Sequence, residues 1–331
     1  MGDLAGRDRV NPDPGVTSPS PGDSQTVTVA VVIPTYRRPD RLQGLLLSLK
    51  QGTRVPDEVI VIDNDPESSA CPKPVPGLPL RILHAGLGLN LAGARNLGWR
   101  STSSSICVFI DDDNAVEAEA IDRLAEVFED RAVGLAGPVI FSGDEAIVWC
   151  AGIHRSPWTT RTIWPSHGQS NLPDAQTWPT DDMPDAFAVP RTVLQAVDGF
   201  DEERFPFHYD EADLGARIRA LGLRGVVVRN ARVRHYSRVK LSVGDMMVRA
   251  IVINGPDRAR WLARNRIRFH ALHYRGLERL CALGVFVPVW TLATSVACLR
   301  AAGAWRIRMA AAQAIVAGTV DGYREVLAKR R

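Results

Sequence analysis

Runs of β-branched and apolar residues alternate with amphipathic stretches over the first 130 positions of the chain. The runs predict four strands, because each run is short and ends at a turn-forming or polar residue. The predicted strands are residues 27–33, 58–62, 80–83 and 106–110. Apolar residues at helical spacing between the runs predict three helices. The predicted helices are residues 39–50, 92–100 and 117–130.

The second half of the chain has a less regular pattern. Residues 149–184 are expected to be loop-like, because they hold many prolines and four of the eight tryptophans. Periodicity then returns and predicts a helix from about Arg191, followed by three further elements. These are a helix over 210–221, a strand over 226–228 and a helix over 301–327.

Strands that alternate with helices predict an α/β fold with a doubly wound, mixed but mostly parallel sheet and a helical C-terminal extension. In such sheets ligands bind beyond the carboxyl ends of the strands. Four polar residues follow predicted strands and are therefore expected to gather at one sheet edge. They are Thr35, Asp63, Asp111 and Asp113.

Composition and pattern together suggest three segments. Residues 1–26 are rich in Pro, Gly, Asp and Ser and predict a disordered leader. Residues 27–240 form the predicted α/β domain. Residues 241–331 are expected to form a basic helical region.

The amino-acid balance excludes several classes of protein. Apolar residues make up 45% and charged residues 23% of the 331 positions, which is unlike a wholly disordered, collagen-like or polytopic membrane protein. The five cysteines are scattered without metal-ligand spacing, as in a protein of a reducing compartment. The N-terminus lacks an apolar signal segment, so a cytoplasmic location is expected.

Charge is divided unevenly along the chain. Residues 1–231 hold 21 Lys and Arg against 32 Asp and Glu, whereas residues 232–331 hold 19 against 5. An acidic front part and a basic tail predict chemistry in the first and an anionic partner for the second. Nucleic acid is not the expected partner, because the tail contains no recognised nucleic-acid module.

Three consecutive carboxylates, Asp111, Asp112 and Asp113, follow the predicted strand 106–110. Adjacent carboxylates repel one another unless a cation or solvent neutralises them. Carboxylate oxygens are ligands that suit Mg²⁺ and Mn²⁺. A solvated acidic turn that caps the next helix is the alternative interpretation.

Four motifs then occur in order: VVIPTYRR at 31–38, EVIVIDND at 58–65, NLAGARNLG at 90–98 and FIDDDN at 109–114. A fifth, DGFDEERFPFHYDEADLGARIRALG, lies at 198–222. Together they resemble the family 2 inverting glycosyltransferases of the GT-A fold, of the rhamnosyltransferase-like, cell-envelope type. The resemblance covers residues 27–240 and implies a nucleotide-diphosphate sugar as donor. It also implies that the catalytic domain has a nucleotide-sugar-binding half (27–115) and an acceptor half (116–240).

The resemblance also implies roles for individual residues. The nucleotide-sugar ligands it implies are Pro34, Thr35, Tyr36, Asp63, Arg95, Asp111 and, less directly, Asp112. The implied ligands of a divalent cation, Mn²⁺ or Mg²⁺, are Asp111, Asp113 and His235. Such a cation stabilises the charge that develops on a departing nucleoside diphosphate.

An inverting displacement needs one base to deprotonate the acceptor hydroxyl. The family motif favours Glu211 as this base and leaves Asp210 as the alternative. Asp213 is a third candidate in this stretch, either as an acceptor ligand or as a partner of Arg217 one helical turn away. An acidic helix N-terminus without a catalytic role is the plainer interpretation. The expected acceptor-side residues are Trp178, Asp185 and Asp213.

The uncharged run 280–299 lies between Arg279 and Arg300. Its length would just cross a bilayer, but glycine, proline and hydroxyl residues interrupt it and both flanks are basic. An interfacial segment on an anionic leaflet is favoured. There are two alternatives. The run could form a membrane-spanning helix, or it could form a helix that packs on the enzyme or on a second copy in a homo-oligomer.

These features predict a metal-dependent inverting glycosyltransferase of cell-envelope glycan or glycolipid synthesis, peripheral to the cytoplasmic membrane face. A soluble small-molecule acceptor is an alternative. A sugar nucleotidyltransferase is a second alternative, although the first strand is followed by PTYRR and not by a glycine-rich triphosphate loop. A non-catalytic membrane-surface module that binds nucleotide sugars is the third.

Overall fold

The computed structural model describes residues 27–65, 67, 72–86, 88–143, 145–236, 248, 251–252 and 255–328. The predicted leader, 1–26, lies outside the described residues. The strands are β1 (Val29–Thr35), β2 (Glu58–Asp63), β3 (Leu80–His84), β4 (Ile106–Ile110), β5 (Asn114–Val116), β6 (Val133–Ser142), β7 (Val148–Cys150), β8 (His154–Arg155), β9 (Thr162–Ile163), β10 (Thr177–Thr180), β11 (Ala186–Pro190) and β12 (Arg224–His235). The helices are α1 (Pro39–Lys50), α2 (Leu91–Arg100), α3 (Ala120–Glu126), α4 (Arg191–Ala196), α5 (Asp210–Ala220), α6 (Pro256–His273), α7 (Gly276–Cys281), α8 (Val287–Arg300) and α9 (Trp305–Ala328).

The described strands form a ten-stranded sheet in the order β10-β12-β6-β11-β4-β1-β2-β3, with β5 on β12 and β7 on β6. Strands β3, β2, β1 and β4 run parallel. Strand β11 is antiparallel to both of its neighbours, β4 and β6, and β12 is parallel to β6. The sheet is therefore mixed and mostly parallel, as the sequence predicts. Strands β8 and β9 form a separate pair.

The first half of the predicted domain, residues 27–115, follows the sequence prediction closely. Helix α1 and strand β4 have the predicted bounds, and the other predicted strands there differ by at most two residues at an end. The predicted helix 117–130 is shorter and begins at Ala120. The reason is that the Glu117 amide donates to the Arg232 carbonyl, which keeps residues before the helix against β12.

One prediction for the second half is wrong and another is incomplete. The stretch 149–184, expected to be loop-like, contains short strands, including the edge strand β10. Pro179 lies in this edge strand, where a missing backbone donor is tolerated. The predicted strand 226–228 is the start of the much longer β12, which continues to His235 beyond a bulge between Val228 and Arg232.

A glycine sets the position of helix α2 on the sheet. A Cβ atom on Gly98 would lie 2.2 Å from Cγ1 of Val32 in β1, so only glycine permits this approach. At the other end of α2, the Asn90 side chain accepts a hydrogen bond from the Gly93 amide, at 2.8 Å, and caps the helix. The NLAGARNLG motif thus holds α2 beside the sheet edge where β1 and β4 end.

The three long C-terminal helices pack on one another around a small apolar cluster that includes Ala263, Cys298 and Ile315. Helix α6 also contacts the first part of the chain, because Phe269 packs with Phe205, Tyr209 and Ala212. Through these contacts the C-terminal helices reach the beginning of α5.

Candidate functional site

The aspartate triplet lies at the carboxyl end of β4, between the ends of β1 and β11. Its backbone is held from two sides: the Asp111 amide donates to the Asp185 carbonyl at 2.8 Å, and the Tyr236 amide donates to the Asp113 carbonyl at 2.9 Å. The Asn114 side chain donates to the Asp111 carbonyl at 3.0 Å. These bonds fix the turn, so the three carboxylates have defined and different surroundings.

Asp112 points into the protein. One of its oxygens accepts from the Thr35 hydroxyl at 2.8 Å and the other accepts from the Arg38 guanidinium at 3.1 Å. Its side chain is only 6% exposed, whereas those of Asp111 and Asp113 are 27% and 22% exposed. The predicted contact of Asp112 with the nucleotide sugar is therefore not supported, because Thr35 and Arg38 already occupy both oxygens.

Arg95 of helix α2 is fully enclosed among three carboxylates. Its Nη1 atom donates to Asp210 and to Glu211, each at 2.7 Å, and its Nη2 atom donates to Asp111 at 3.0 Å. Its guanidinium also lies over the ring of Phe187, 5.5 Å from the ring centre. The predicted role of Arg95 as a nucleotide ligand is not supported, since the side chain has no exposed surface. Arg95 instead joins the aspartate triplet to helix α5.

The two acids at the start of α5 have opposite protonation preferences. Burial raises the pKa of Asp210 well above its usual range, with added repulsion from Glu211 and only partial relief from Arg95. Burial also acts against ionisation of Glu211, but Arg95 and a hydrogen bond from Asp210 outweigh it and lower the pKa of Glu211. The surroundings therefore favour the neutral form of Asp210 and the ionised form of Glu211.

Asp210 and Glu211 also differ in how far their side chains are exposed to solvent. The Asp210 side chain is 1% exposed and that of Glu211 is 16% exposed. Glu211 is therefore the acid of this pair that an incoming molecule can reach.

A strained turn directly precedes Asp210 and Glu211 and sets their position in the site. His208 and Tyr209 both have left-handed backbone angles, with φ of 62° and 68°, immediately before α5 begins. Such angles are costly for residues with side chains and persist only where the surroundings enforce them. Here the buried Asn265 of α6 donates to the carbonyls of Phe207 and His208, at 2.9 and 3.0 Å.

His235, at the end of β12, lies beside two of the site's carboxylates. Its Nδ1 atom is 3.3 Å from Asp185 Oδ2 and 3.6 Å from Asp113 Oδ1. Both Nδ1 of His235 and Oδ2 of Asp185 are buried without a hydrogen-bond partner among the described residues. Burial lowers the pKa of His235, so the imidazole is neutral near pH 7 and has a lone pair to donate.

Asp185, which the sequence assigned to the acceptor, instead adjoins His235. Burial, together with the charges of Asp111 and Asp113, raises the pKa of Asp185 well above its usual range. A cation would relieve this repulsion. Two carboxylates and one imidazole form a donor set that suits Mn²⁺. Within the described part of the chain, however, no three His, Cys, Asp or Glu side chains already converge as metal ligands do.

The predicted nucleotide-binding residues of the first two strands lie side by side. Thr35 and Asp63 are register partners at the ends of β1 and β2. Pro34 is buried in the sheet, whereas the Tyr36 ring beyond it is 53% exposed. Asp63 accepts from the Asp65 amide at 2.9 Å. The structure therefore brings the exposed ring of Tyr36 and the carboxylate of Asp63 to the same sheet edge as the triplet.

The other two predicted acceptor residues have internal partners. Asp213 is fully buried, where it pairs with Arg217 at 2.7 Å and His273 at 2.8 Å. Direct contact of Asp213 with an acceptor is not supported for this reason. Trp178 is half-buried on β10, and its indole nitrogen donates to the Ala151 carbonyl at 2.8 Å.

Sequence reasoning missed two residues of this site. Arg38 donates to Asp113 at 3.0 Å as well as to Asp112, and its place in the motif at 31–38 was a usable signal. Asn265 supports the turn before α5 from 57 residues away, and nothing in its sequence surroundings points to that contact.

The sequence of this chain is similar to those of known proteins. Residues 30–197 match the family model described as Glycosyl transferase family 2. The O-antigen biosynthesis protein RfbC of Myxococcus xanthus is 27% identical over 241 residues, which cover 67% of this chain and 19% of RfbC. The galactofuranosyltransferase GlfT1 of Mycobacterium tuberculosis (strain H37Rv) is 31% identical over 127 residues, which cover 36% of this chain and 42% of GlfT1. The chain thus spans less than half the length of each of these relatives.

A solved structure has a fold similar to that of this chain. The mannosyltransferase PcManGT from Pyrobaculum calidifontis, solved with GDP-Man and Mn²⁺, superposes with a TM-score of 0.52 at 15% identity. The superposition covers 90% of this chain and 87% of that one.

Proposed function

The chain belongs to glycosyl transferase family 2, and from this premise we propose that it transfers a sugar from a nucleotide-diphosphate sugar to an acceptor hydroxyl with inversion. One observation carries the proposal. Arg95 gathers Asp111, from the end of β4, and Glu211, from the start of α5, around one enclosed guanidinium. This link supports a donor-side role for Asp111 and a base role for Glu211 in a single site.

The donor nucleotide would bind along the ends of β1, β2 and β4. Tyr36 offers an exposed aromatic face on which a base can stack, and Asp63 is the candidate hydrogen-bond partner of that base. Asp111 follows at the end of β4 and is the candidate ligand of the ribose. Arg38 pairs with Asp112 and Asp113, which lowers the repulsion that an anionic donor would meet.

A divalent cation would be held by Asp113, Asp185 and His235. The unpaired buried atoms of Asp185 and His235 support this assignment, as does the repulsion among the carboxylates around them. When bound, such a cation supplies charge neutralisation for the diphosphate leaving group. The donor set replaces Asp111 of the sequence prediction with Asp185, because Asp185 and Asp113 are the carboxylates that lie 3.3 and 3.6 Å from His235 Nδ1.

Glu211 would accept the proton of the acceptor hydroxyl. The pKa of Glu211 is lowered and its side chain is partly exposed, whereas the neighbouring Asp210 is enclosed and its pKa is raised. Asp210 holds the Glu211 carboxylate in place, and Arg95 prevents Glu211 from turning away. The same arrangement disfavours Asp210 as the base, since an enclosed and protonated acid cannot take a proton from an acceptor.

We further propose that the acceptor is a cell-envelope glycan or glycolipid. The support is the similarity to RfbC, named for O-antigen biosynthesis, and to GlfT1, named as a galactofuranosyltransferase.

The test begins with the donor. A panel of nucleotide-diphosphate sugars is screened with Mn²⁺ for thermal stabilisation, since a ligand that binds the native state raises its apparent stability. Glu211→Gln is then compared with Glu203→Gln, which changes an exposed acid before α5. We expect Glu211→Gln to keep donor binding and to lose about a hundredfold or more of nucleoside diphosphate release, while Glu203→Gln keeps both.

Two results would overturn the proposal. Unchanged turnover in Glu211→Gln would remove the base assignment. Release of pyrophosphate from a nucleoside triphosphate, with no release of nucleoside diphosphate from any sugar nucleotide, would identify a nucleotidyltransferase instead.

A further inference from the structure

The helical segment Gly276–Arg300 presents a broad apolar surface. Among the described residues it is the single helix long and apolar enough to cross a membrane, and 17% of its most apolar window is buried. Leu280 and Leu292 are 67% and 69% exposed. The other exposed apolar side chains of this segment are Leu277, Val285, Phe286, Val289 and Val296. Water-exposed apolar patches of this kind mark sites of interaction.

The opposite face of the segment packs against the rest of the protein. The Thr291 hydroxyl is 2.9 Å from that of Thr319 in α9, and the Tyr323 hydroxyl donates to the Leu283 carbonyl. The Arg266 guanidinium of α6 lies over the Trp290 ring, 4.1 Å from its centre. Helix α9 therefore runs alongside the segment, with α6 beside both.

These neighbours exclude a membrane-spanning position. Asp321 of α9 pairs with Arg260 at 2.6 Å, and Glu325 of α9 pairs with Arg268. Both acids lie within six residues of Thr319, the residue that contacts the middle of the apolar segment. If the segment crossed a bilayer, it would carry these charged pairs into the hydrocarbon, where charged side chains are costly.

Exposed basic side chains lie at both ends of the apolar segment. Arg275 directly precedes it, Arg300 ends it and Arg306 follows at the start of α9, and all three are exposed. Anionic headgroups attract such juxtamembrane arginines, whereas a second copy of this basic surface would repel them. We propose that the exposed face of Gly276–Arg300 binds the surface of an anionic bilayer, lying in the interface with its leucines among the acyl chains and its arginines at the headgroups.

The proposal is tested by vesicle co-sedimentation of the full chain, without donor or acceptor. Vesicles of phosphatidylglycerol and phosphatidylcholine are compared with vesicles of phosphatidylcholine alone. We expect binding to the anionic vesicles, weaker binding as salt rises, and a loss of about a hundredfold in partitioning for the double variant L280Q/L292Q.

The matched control is the double variant L47Q/L221Q. It replaces two leucines in the first part of the chain that are also exposed, at 45% and 48%. It is expected to bind vesicles like the unaltered protein. The pair R300Q/R306Q is expected to lose the preference for anionic vesicles. Circular dichroism and thermal unfolding establish that each variant is folded.

Three results would overturn the proposal. The first is an unaltered protein that stays in the supernatant with anionic vesicles. The second is a folded L280Q/L292Q protein that sediments like its control. The third is a dimer in light scattering that L280Q/L292Q dissociates, since a second copy would then cover the surface. Donor binding measured on the same samples separates these outcomes from a failure of the glycosyltransferase proposal.

Discussion

The guanidinium of Arg95 donates a hydrogen bond to the carboxyl group of Asp210 across 2.7 Å, and the two side chains are 0% and 1% exposed. The two residues are 115 positions apart, on α2 and at the start of α5. Their pairing holds the two halves of the site together, because the same guanidinium also bonds Asp111 and Glu211. The site therefore depends on one positive charge that no solvent reaches.

Arg95→Met is expected to lower the free energy of unfolding by about 3–5 kcal/mol, because it leaves buried carboxylates without their compensating charge. Urea unfolding measures the loss. Arg123→Met serves as the control, since Arg123 pairs with Glu119 and Glu126 on an exposed helix surface. Equal losses in the two variants would contradict the central role of Arg95.

Asp210→Asn is expected to change how stability depends on pH. The pKa of Asp210 is raised above its ordinary 3.8, so the folded protein keeps a proton that the unfolded chain has lost. Stability from this group is therefore greatest at acid pH and falls as pH rises from about 4 toward the folded pKa. Asn cannot ionise and should remove this decline while it still donates to Glu211. Urea unfolding from pH 4.5 to 7.5 measures it.

Asp198→Asn is the control for this experiment, because the Asp198 side chain is 92% exposed. The slope of its unfolding free energy against pH should match that of the unaltered protein. A slope unchanged by Asp210→Asn would show that this carboxyl is ionised in the folded state.

Neighbouring aspartates of the triplet should respond in opposite ways. Asp113→Asn is expected to abolish the Mn²⁺-dependent part of donor-induced thermal stabilisation and to leave the melting temperature without ligand nearly unchanged. Asp112→Asn should lower that melting temperature, since it disturbs the bonds to Thr35 and Arg38, and should keep the Mn²⁺ response. Differential scanning fluorimetry distinguishes the two. The assignment is lost if Asp112→Asn removes the Mn²⁺ response and Asp113→Asn preserves it.

Asn265→Ala tests whether α6 positions the candidate base. The substitution removes two donors from the carbonyls of Phe207 and His208, which hold the left-handed turn before Asp210. We expect kcat to fall by about tenfold or more with little change in the donor KM, since small displacements of a reacting group are costly. Steady-state kinetics separate these constants.

Asn230→Ala is the matched control, because Asn230 makes only a long surface contact, 3.4 Å, with Gln176. Its kcat and KM should equal those of the unaltered protein. A rise in KM with an unchanged kcat in Asn265→Ala would place that residue in donor binding and not in the support of Glu211.

Much of the site's location could be predicted from the sequence alone. The β-branched runs before Thr35, Asp63 and Asp111 define parallel strands, and parallel strands bring their carboxyl ends to one edge. Short-range periodicity encodes such strands. Their positions along the chain, and the acids that follow them, could therefore be predicted without coordinates. The five motifs added the family and, with it, Glu211 as the candidate base.

The tertiary structure alone decided which way each side chain faces. Asp112 turns inward between two carboxylates that turn outward, and Asp185 lies beside His235. Arg95 is enclosed instead of facing a nucleotide, and Asn265 reaches the turn before α5 from another helix. These relations join residues 50 or more positions apart, and they are set by packing and by the compensation of buried charge. Neither of these leaves a local pattern along the chain, which is why the strands could be predicted and these contacts could not.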